Sequence, residues 1–190
     1  MDPDGGIAMN LILIGFMGVG KTCVGKGAAQ RLGWSFIDTD TLIEEARSMT
    51  IPEIFAKHGN TSFRKTEKAV VESVARSHRC VIATGGGVVL DPENVDRLRR
   101  HGFLIHLTLS PDIIFDRIGH QSDRPLLQTD NPRETLEALF QSRESLYRAC
   151  SDFTIDRNGL NVNETVEKMI EAIGLHGIIE NPQSHWVQRR

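Results

Sequence analysis

The clearest chemical signature in the sequence is a short stretch close to the amino terminus, GFMGVGKT at residues 15–22. It fits the pattern G-x-x-x-x-G-K-S/T, in which backbone amides and the positive end of the following helix cradle phosphate groups. In such a loop Lys21 reaches the β- and γ-phosphates of a nucleotide, and the Thr22 hydroxyl ligates Mg²⁺. The motif therefore predicts a phosphate donor and leaves the acceptor open.

Two carboxylates, Asp38 and Asp40, come at the end of a second apolar segment. If the chain stays extended there, the two side chains point to the same side. One could hold Mg²⁺ through a water, and the other could orient or deprotonate an attacking hydroxyl. The alternative is that Asp40 only caps a helix beginning at Thr41. Both interpretations stay open on these residues alone.

Three consecutive glycines, Gly85, Gly86 and Gly87, follow a third apolar segment. Glycine lets a backbone approach a ligand closely and present its N–H groups. We therefore predict a ligand contact at this turn rather than a plain flexible connection.

Several arginines could bind charged groups of a substrate, because the guanidinium fork suits carboxylates and phosphates. Arg64 has Glu67 three residues further on, where the carboxylate could brace it. Taken one at a time, arginines are more commonly solvated surface residues. The candidates are Arg64, Arg117, Arg124 and Arg143.

The elements that must position these residues alternate between strand and helix patterns. This alternation predicts an α/β fold, a parallel sheet with helices on both faces. Strands are predicted at residues 10–15, 34–38, 103–109 and 152–156, with one more running from Cys80 into the three glycines. Helix starts are indicated at Thr50, Asp91, Ser110 and Asn131, and a helix stop at Gly174. Ligands of such sheets bind beyond the carboxyl ends of the strands, where the motifs above fall.

One connection stands out from the rest of the pattern. The segment HQSDRPLLQTDNP at residues 120–132 is polar and long for so compact a layout. Connections of this kind commonly form functional lids. We expect a lid at about residues 117–132, with Arg124 on it.

Length and composition fit one globular domain. The chain has 190 residues, 39% of them hydrophobic, and a net charge of −3. We expect the domain at residues 10–174, with terminal extensions at 1–9 and 175–190. No long basic run indicates a nucleic-acid surface, and no apolar stretch is long enough to cross a membrane. The three cysteines are expected to be buried, reduced thiols, and the protein a cytoplasmic monomer.

Six motifs, taken in order, resemble those of the shikimate kinase family: GFMGVGKT, FIDTD, FRKTE, GGGVV, RPLL and SRESLYR. The likeness runs over about residues 10–174. It implies the three-layer P-loop kinase fold, a five-stranded parallel sheet in the order 2-3-1-4-5 flanked by helices, with a lid. It also implies transfer of the γ-phosphate of ATP, with Mg²⁺, to the 3-hydroxyl of shikimate.

The resemblance further implies a role for each matching residue. Nucleotide binding would fall to Gly18, Val19, Gly20, Lys21, Thr22, Cys23, Arg117 and Arg124. Mg²⁺ would be held by Thr22 and Asp38. Shikimate would be bound by Asp40, Arg64, Gly85, Gly86, Gly87 and Arg143, with Phe55 and Phe63 walling its ring. The catalytic residues would be Lys21, Asp40 and Arg124.

Other functions fit part of the pattern. A kinase of another sugar acid, such as gluconate, would use the same fold, although the pair Arg64 and Arg143 favours shikimate. The stretch DRIG at 116–119 is similar to a GTPase motif, but it lies in a predicted helix and no N-K-x-D accompanies it. A related protein could bind nucleotide without catalysing a reaction, but the presence of Lys21, Asp38, Asp40 and Arg124 argues against this function.

Overall fold

The computed structural model describes residues 9–119 and 125–178 of the chain. Residues 120–124 of the predicted lid, Arg124 among them, and most of the two terminal extensions lie outside these residues. The described strands are β1 (Asn10–Ile14), β2 (Ser35–Asp38), β3 (Cys80–Ala83), β4 (Gly102–Thr108) and β5 (Phe153–Asp156). The described helices are α1 (Lys21–Leu32), α2 (Thr39–Arg47), α3 (Ile51–Ala75), α4 (Pro92–His101), α5 (Pro111–Ile118), α6 (Pro132–Cys150) and α7 (Val162–Leu175).

The strands form one parallel sheet in the order β2-β3-β1-β4-β5. This confirms the predicted fold class and strand order. In the register, Ile12 of β1 lies between Ile82 of β3 and Leu104 of β4. β1 is buried along its whole length, because a central strand with helices on both faces has no solvated side. The carboxyl ends of all five strands consequently meet at one edge of the sheet.

The predicted helix starts are found in the structure, and they differ in how they are capped. Thr50 and Glu53 form a reciprocal capping box at the start of α3, and the Asp91 side chain caps α4. Ser110 and Asn131 occupy the cap positions of α5 and α6 without a side-chain cap hydrogen bond. Proline in the first turn is common to α3, α4, α5 and α6.

Two helices depart from simple patterns. α3 consists of two helical stretches joined at Gly59, whose φ of 72° and ψ of 174° lie in a region that only glycine adopts readily. α7 continues through Gly174 and ends at Leu175, so the predicted stop at Gly174 is wrong. The DRIG stretch lies in and just after α5, as the sequence indicated, and not at a strand end.

The structure also gives the burial of the cysteines and the length and hydrophobicity of the helices. Cys80 and Cys150 are buried and free, whereas Cys23 is free but exposed. Burial was therefore wrongly predicted for Cys23, which lies in the first turn of α1 next to the phosphate loop. None of the helices within the described residues is long and apolar enough to cross a membrane.

Candidate active site

The loop between β1 and α1 turns tightly through glycine. Gly20 immediately precedes α1 with a φ of 89°, and a Cβ there would collide with the guanidinium of Arg157. Lys21 opens α1, and its Nζ donates hydrogen bonds of 2.8 Å to the Gly15 carbonyl and 2.9 Å to the Phe16 carbonyl. The ammonium therefore lies against the start of the loop, close to the positive end of α1.

Asp38 connects the end of β2 to the phosphate loop. Thr22 Oγ1 donates a hydrogen bond of 2.8 Å to Asp38 Oδ2, and the Asp40 amide donates one of 3.0 Å to Asp38 Oδ1. Asp38 is thus the N-cap of α2, which begins at Thr39. The alternative in which Asp40 caps a helix beginning at Thr41 is wrong, because Asp40 already lies in the first helical turn.

The Asp40 carboxylate lies against the glycine turn that follows β3. A Cβ on Gly85 would be 2.6 Å from Asp40 Oδ1, so a larger residue would displace this carboxylate. The Gly85 amide donates a hydrogen bond of 3.0 Å to Thr39 Oγ1, which ties the start of α2 to the end of β3. The side chain of Asp40 is half-buried and borders a cleft.

Arg64 and Glu67 form an ion pair of 2.6 Å on α3, in which Glu67 is 1% exposed and Arg64 is 26% exposed. Burial raises the pKa of Glu67, Arg64 opposes that rise, and Asp40 adds to it. The Arg64 guanidinium lies 5.0 Å from the ring centroid of Phe63, and a Cβ on Gly87 would clash with it. These contacts hold Arg64 in one position on the wall of the cleft.

Arg143 reaches the same glycine turn from α6. It is only 6% exposed, and its Nη1 donates a hydrogen bond of 3.4 Å to the Gly86 carbonyl. The Tyr147 hydroxyl, one helical turn further on, donates to the same carbonyl. Burial raises the pKa of Tyr147, which keeps the phenol protonated as a donor. The Arg143 guanidinium also lies 5.9 Å from the ring centroid of Phe16.

A cleft of about 470 Å³ collects these side chains, a size usual for small-molecule sites. Phe55 and Phe63 lie on its wall with ring centroids 4.7 Å apart. The predicted site residues that line it are Gly18, Gly20, Lys21, Thr22, Cys23, Asp38, Asp40, Arg64, Gly85, Gly86, Gly87 and Arg143. The structure thus brings the phosphate loop, both aspartates and two arginines to one place.

Two other predicted residues, Val19 and Arg117, do not line this cleft. Val19, a residue of the phosphate loop, is fully buried. Arg117, on α5, is exposed beside the loop, where its Nη1 donates a hydrogen bond of 3.4 Å to the Gly18 carbonyl. Arg124 lies outside the described residues.

Comparison with known proteins identifies the family of the chain. Residues 17–174 match the model of a protein family described as shikimate kinase. The chain belongs to the shikimate kinase family. The predicted enzyme class, a phosphotransferase, is thereby confirmed.

Named proteins and solved structures of the shikimate kinase family are similar to this chain in sequence and fold. The shikimate kinase of Thermoanaerobacter pseudethanolicus is 47% identical over 163 residues, which cover 86% of this chain and 95% of that protein. A shikimate kinase from Acinetobacter baumannii, solved in complex with shikimate, aligns with a TM-score of 0.87 at 34% identity and covers 90% of this chain and 96% of that one. A gluconokinase from Sinorhizobium meliloti 1021 aligns over 97% of this chain and 99% of its own with a TM-score of 0.55 at 15% identity, a likeness of fold alone.

Two residues near the cleft of this shikimate kinase family member were missed by sequence reasoning. Arg157 comes directly after β5, is 3% exposed, and its Nη1 donates to the Val19 carbonyl. The rule that singled out residues after the first three strands would have found Arg157 if it had been applied to the last strand. His106, in β4, gives no such signal because it stands within an apolar run.

His106 forms a small polar cluster beside the site. The imidazole is 1% exposed, its ring centroid lies 5.2 Å from that of Tyr147, and its Nε2 lies 3.8 Å from Glu144 Oε2. Among the described residues, His106 Nδ1 and Glu144 Oε2 have no hydrogen-bond partner. Burial lowers the pKa of His106 to about 4, while Glu144 acts in the opposite direction. The imidazole is therefore neutral near pH 7.

The shikimate kinase phosphate loop also offers oxygen atoms suited to Mg²⁺. This ion prefers oxygen ligands and is commonly bound by one or two protein groups together with substrate phosphates and waters. Thr22 Oγ1 and Asp38 Oδ2 are such oxygens and lie 2.8 Å apart. Within the described part of the chain, no group of three or more His, Cys, Asp or Glu side chains could hold a metal ion alone. A magnesium ion at this loop would therefore need phosphate and water ligands as well.

Proposed function

We propose that the protein transfers the γ-phosphate of ATP to the 3-hydroxyl of shikimate, giving shikimate 3-phosphate and ADP. The observation that carries this proposal is that one cleft is lined by a phosphate loop and by the arginines Arg64 and Arg143. The loop suits a nucleotide donor, and the arginines suit a hydroxylated acid as acceptor. The shikimate bound to the 34% identical Acinetobacter baumannii enzyme supports the same acceptor.

In this proposal the phosphate loop binds the polyphosphate of ATP. Residues 18–23 supply backbone amides at the start of α1, and Lys21 exchanges its contacts with the Gly15 and Phe16 carbonyls for the β- and γ-phosphates. Arg117 contacts the adenine ring. Its position beside Gly18, outside the cleft proper, supports that role.

The acceptor is held by its carboxylate. Arg64 and Arg143 bind this group, and the amides of the glycine turn at 85–87 lie alongside. Both guanidiniums are held in advance, Arg64 by Glu67 and Arg143 by the Gly86 carbonyl. Side chains that are already fixed lose less conformational freedom when the ligand binds. Phe55 and Phe63 wall the ring.

Asp40 binds hydroxyl groups of shikimate and accepts the proton of the attacking one. The hydroxyl oxygen forms a bond to the γ-phosphorus, the bond from that phosphorus to the bridging oxygen breaks, and ADP leaves with the electron pair. A general base must lie within hydrogen-bond reach of the proton that it takes. The contact of Asp40 with the Gly85 turn, beside both arginines, supports this assignment.

Thr22 and Asp38 hold Mg²⁺ in this proposal. When bound, the ion would neutralise negative charge on the phosphate groups. The carboxylate of Asp38 is oriented by two hydrogen bonds, which supports a fixed ligand position.

The domain extent, the oligomeric state and the cellular compartment are proposed on the basis of the sequence. Residues 10–174 act as one domain, the protein is a monomer, and it works in the cytoplasm. Its three free cysteines fit a reducing compartment. The contact of Arg124 with the ATP phosphates stays a prediction.

Product analysis tests the proposed reaction. The protein is incubated with ATP, Mg²⁺ and either shikimate or gluconate, and the products are examined by mass spectrometry and phosphorus NMR. We expect one phosphate monoester, on the 3-hydroxyl of shikimate. Preferential phosphorylation of gluconate, or of another hydroxyl, would contradict the proposal.

A further inference from the structure

Arg157 is a buried cation that touches the phosphate loop from behind. It is the first residue after β5 and is 3% exposed. Its Nε donates a hydrogen bond of 3.1 Å to Thr165 Oγ1 on α7, and its Nη1 donates to the Val19 carbonyl. The side chain therefore links α7 to the loop between β1 and α1.

The charge on Arg157 is not paired with a carboxylate of the described residues. Among the described residues, no carboxylate forms an ion pair with Arg157. The neighbouring groups that affect its charge are another cation, Arg117, which opposes it, and Cys23, which acts in the opposite direction. Burial lowers the pKa of Arg157, and Arg117 lowers it further, yet a guanidinium remains protonated at neutral pH. Buried charges are normally paired, because an unpaired one destabilises the fold.

The contact point is the part of the loop that presents its amides to phosphates. A Cβ on Gly20 would collide with the Arg157 guanidinium, so this group packs directly against the backbone of Gly20. Gly20 is also the residue that precedes α1, with a φ of 89°. Arg157 thus adds a positive charge where the helix end already favours anions.

We infer that Arg157 is a nucleotide-binding residue whose counter-charge is the polyphosphate of the bound nucleoside triphosphate. This inference rests on the proposed function, in which ATP occupies the loop. In the nucleotide-free protein the charge is uncompensated and lowers stability. In the complex the phosphate groups of the nucleotide neutralise this charge. The destabilisation of the nucleotide-free protein by Arg157 is therefore relieved on binding, which increases the affinity for the nucleotide.

A neutral and a charged replacement separate charge from packing. Arg157→Gln keeps hydrogen-bond donors and removes the charge, whereas Arg157→Lys keeps the charge and loses the planar fork. The matched control is Arg31→Gln, which removes one positive charge from an exposed site on α1. Binding of ATP is measured by calorimetry without shikimate, and melting temperatures are measured with and without ATP.

We expect Arg157→Gln to weaken ATP binding by about tenfold or more, the size expected for a lost charge-assisted contact. Its melting temperature without ATP should be equal to or above that of the unaltered protein, and ATP should raise it by less. Arg157→Lys should stay within about threefold of the unaltered affinity, because the charge remains. Arg31→Gln should bind ATP normally.

Three results would overturn the inference. Unchanged ATP affinity in Arg157→Gln would remove the residue from the nucleotide site. Equal weakening in the Gln and Lys variants, or a Gln variant that melts lower or fails to fold, would make Arg157 a structural brace. Failure of the proposed function is a separate outcome, in which the unaltered protein does not bind ATP.

Discussion

The Thr22 hydroxyl donates a hydrogen bond of 2.8 Å to Asp38 Oδ2, which joins the first turn of α1 to the end of β2. The other oxygen of the same carboxylate accepts the Asp40 amide at 3.0 Å and so caps α2. One residue therefore fixes the start of α2, positions Asp40 and supplies an oxygen beside the phosphate loop. Its structural and chemical roles can be separated, since asparagine caps helices about as well as aspartate.

The first prediction concerns magnesium. Asp38→Asn should raise the Mg²⁺ concentration needed for half-maximal activity by about tenfold or more, because a neutral amide is a weaker ligand than a carboxylate. The melting temperature should change little, because an asparagine in this position would still cap α2. A magnesium titration of the steady-state rate measures the effect. An unchanged magnesium requirement would remove Asp38 from the metal site.

The second prediction concerns the two arginines proposed to bind the carboxylate of shikimate. Arg64→Ala or Arg143→Ala should raise the KM for shikimate roughly tenfold to a hundredfold, as expected for one lost charge-assisted hydrogen bond. The KM for ATP should be nearly unchanged. Lys65→Ala and Arg148→Ala are matched controls, because both residues are exposed neighbours on the same helices. Equal losses for shikimate and ATP would show that these arginines are wrongly assigned.

The third prediction concerns Asp40. Asp40→Asn keeps the shape of the side chain and removes its charge and basicity, so kcat should fall by about a hundredfold or more. The fold should be preserved, since Asp38 and not Asp40 caps α2. Steady-state kinetics and a melting curve measure the two effects. Retention of full kcat would rule out Asp40 as the base.

The same carboxylate can be disturbed through its neighbour. Gly85→Ala would place a Cβ 2.6 Å from Asp40 Oδ1 and should also lower kcat. Gly174→Ala is the control, because among the described residues nothing outside its chain neighbours and its own helix backbone lies within 4 Å of a Cβ at that position. The control should be fully active and slightly more stable, since alanine favours helices over glycine. Normal kcat in Gly85→Ala would show that the position of Asp40 is not critical.

The fourth prediction concerns pH. Burial is the main cause that lowers the pKa of His106 to about 4. The charges of Arg148 and Lys21 also lower this pKa, whereas Glu144 raises it. In the unfolded chain His106 therefore becomes protonated as the pH falls below about 6.5, whereas in the folded protein it stays neutral until a lower pH. The free energy of unfolding should fall as the pH drops from about 6.5 toward 4, by up to about 1.4 kcal/mol per pH unit from this residue.

Urea unfolding of two variants tests this assignment. His106→Gln should flatten the change in unfolding free energy between about pH 7 and about pH 5, because its side chain does not titrate. His101→Gln is the control, since His101 is exposed at the end of α4. The same pH slope in His106→Gln and the unaltered protein would show that other groups cause it.

Much of the fold could be predicted because local patterns and overall architecture agree. Alternating strand and helix patterns require a parallel sheet, and capping signals such as Thr50 with Glu53 mark where a helix begins. The residues at strand ends then share one edge of the sheet, which is why Lys21, Asp40 and Gly85 were placed together from the sequence. Arg64, on a helix, was assigned to the site through the family resemblance.

What could not be predicted depends on tertiary contacts. An extended chain through Asp38 and Asp40 was assumed, but β2 ends at Asp38 and the helix begins one residue later. Gly59 interrupts α3 although the flanking sequence is helical, since backbone geometry and not pattern decides such a joint. The position of Arg157 after the last strand marks it as a candidate, but its burial and its contact with the Val19 carbonyl appear only in the structure.

The most direct test of the central claim is ADP release from ATP by the purified protein in the presence of Mg²⁺. The rate is measured with shikimate, with gluconate and with water as the only acceptor. Lys21→Ala serves as the blank, because it removes the cation that reaches the β- and γ-phosphates. Shikimate-dependent ADP release, absent from Lys21→Ala and weak with gluconate, is the predicted result. Equal ADP release with and without shikimate would contradict the account.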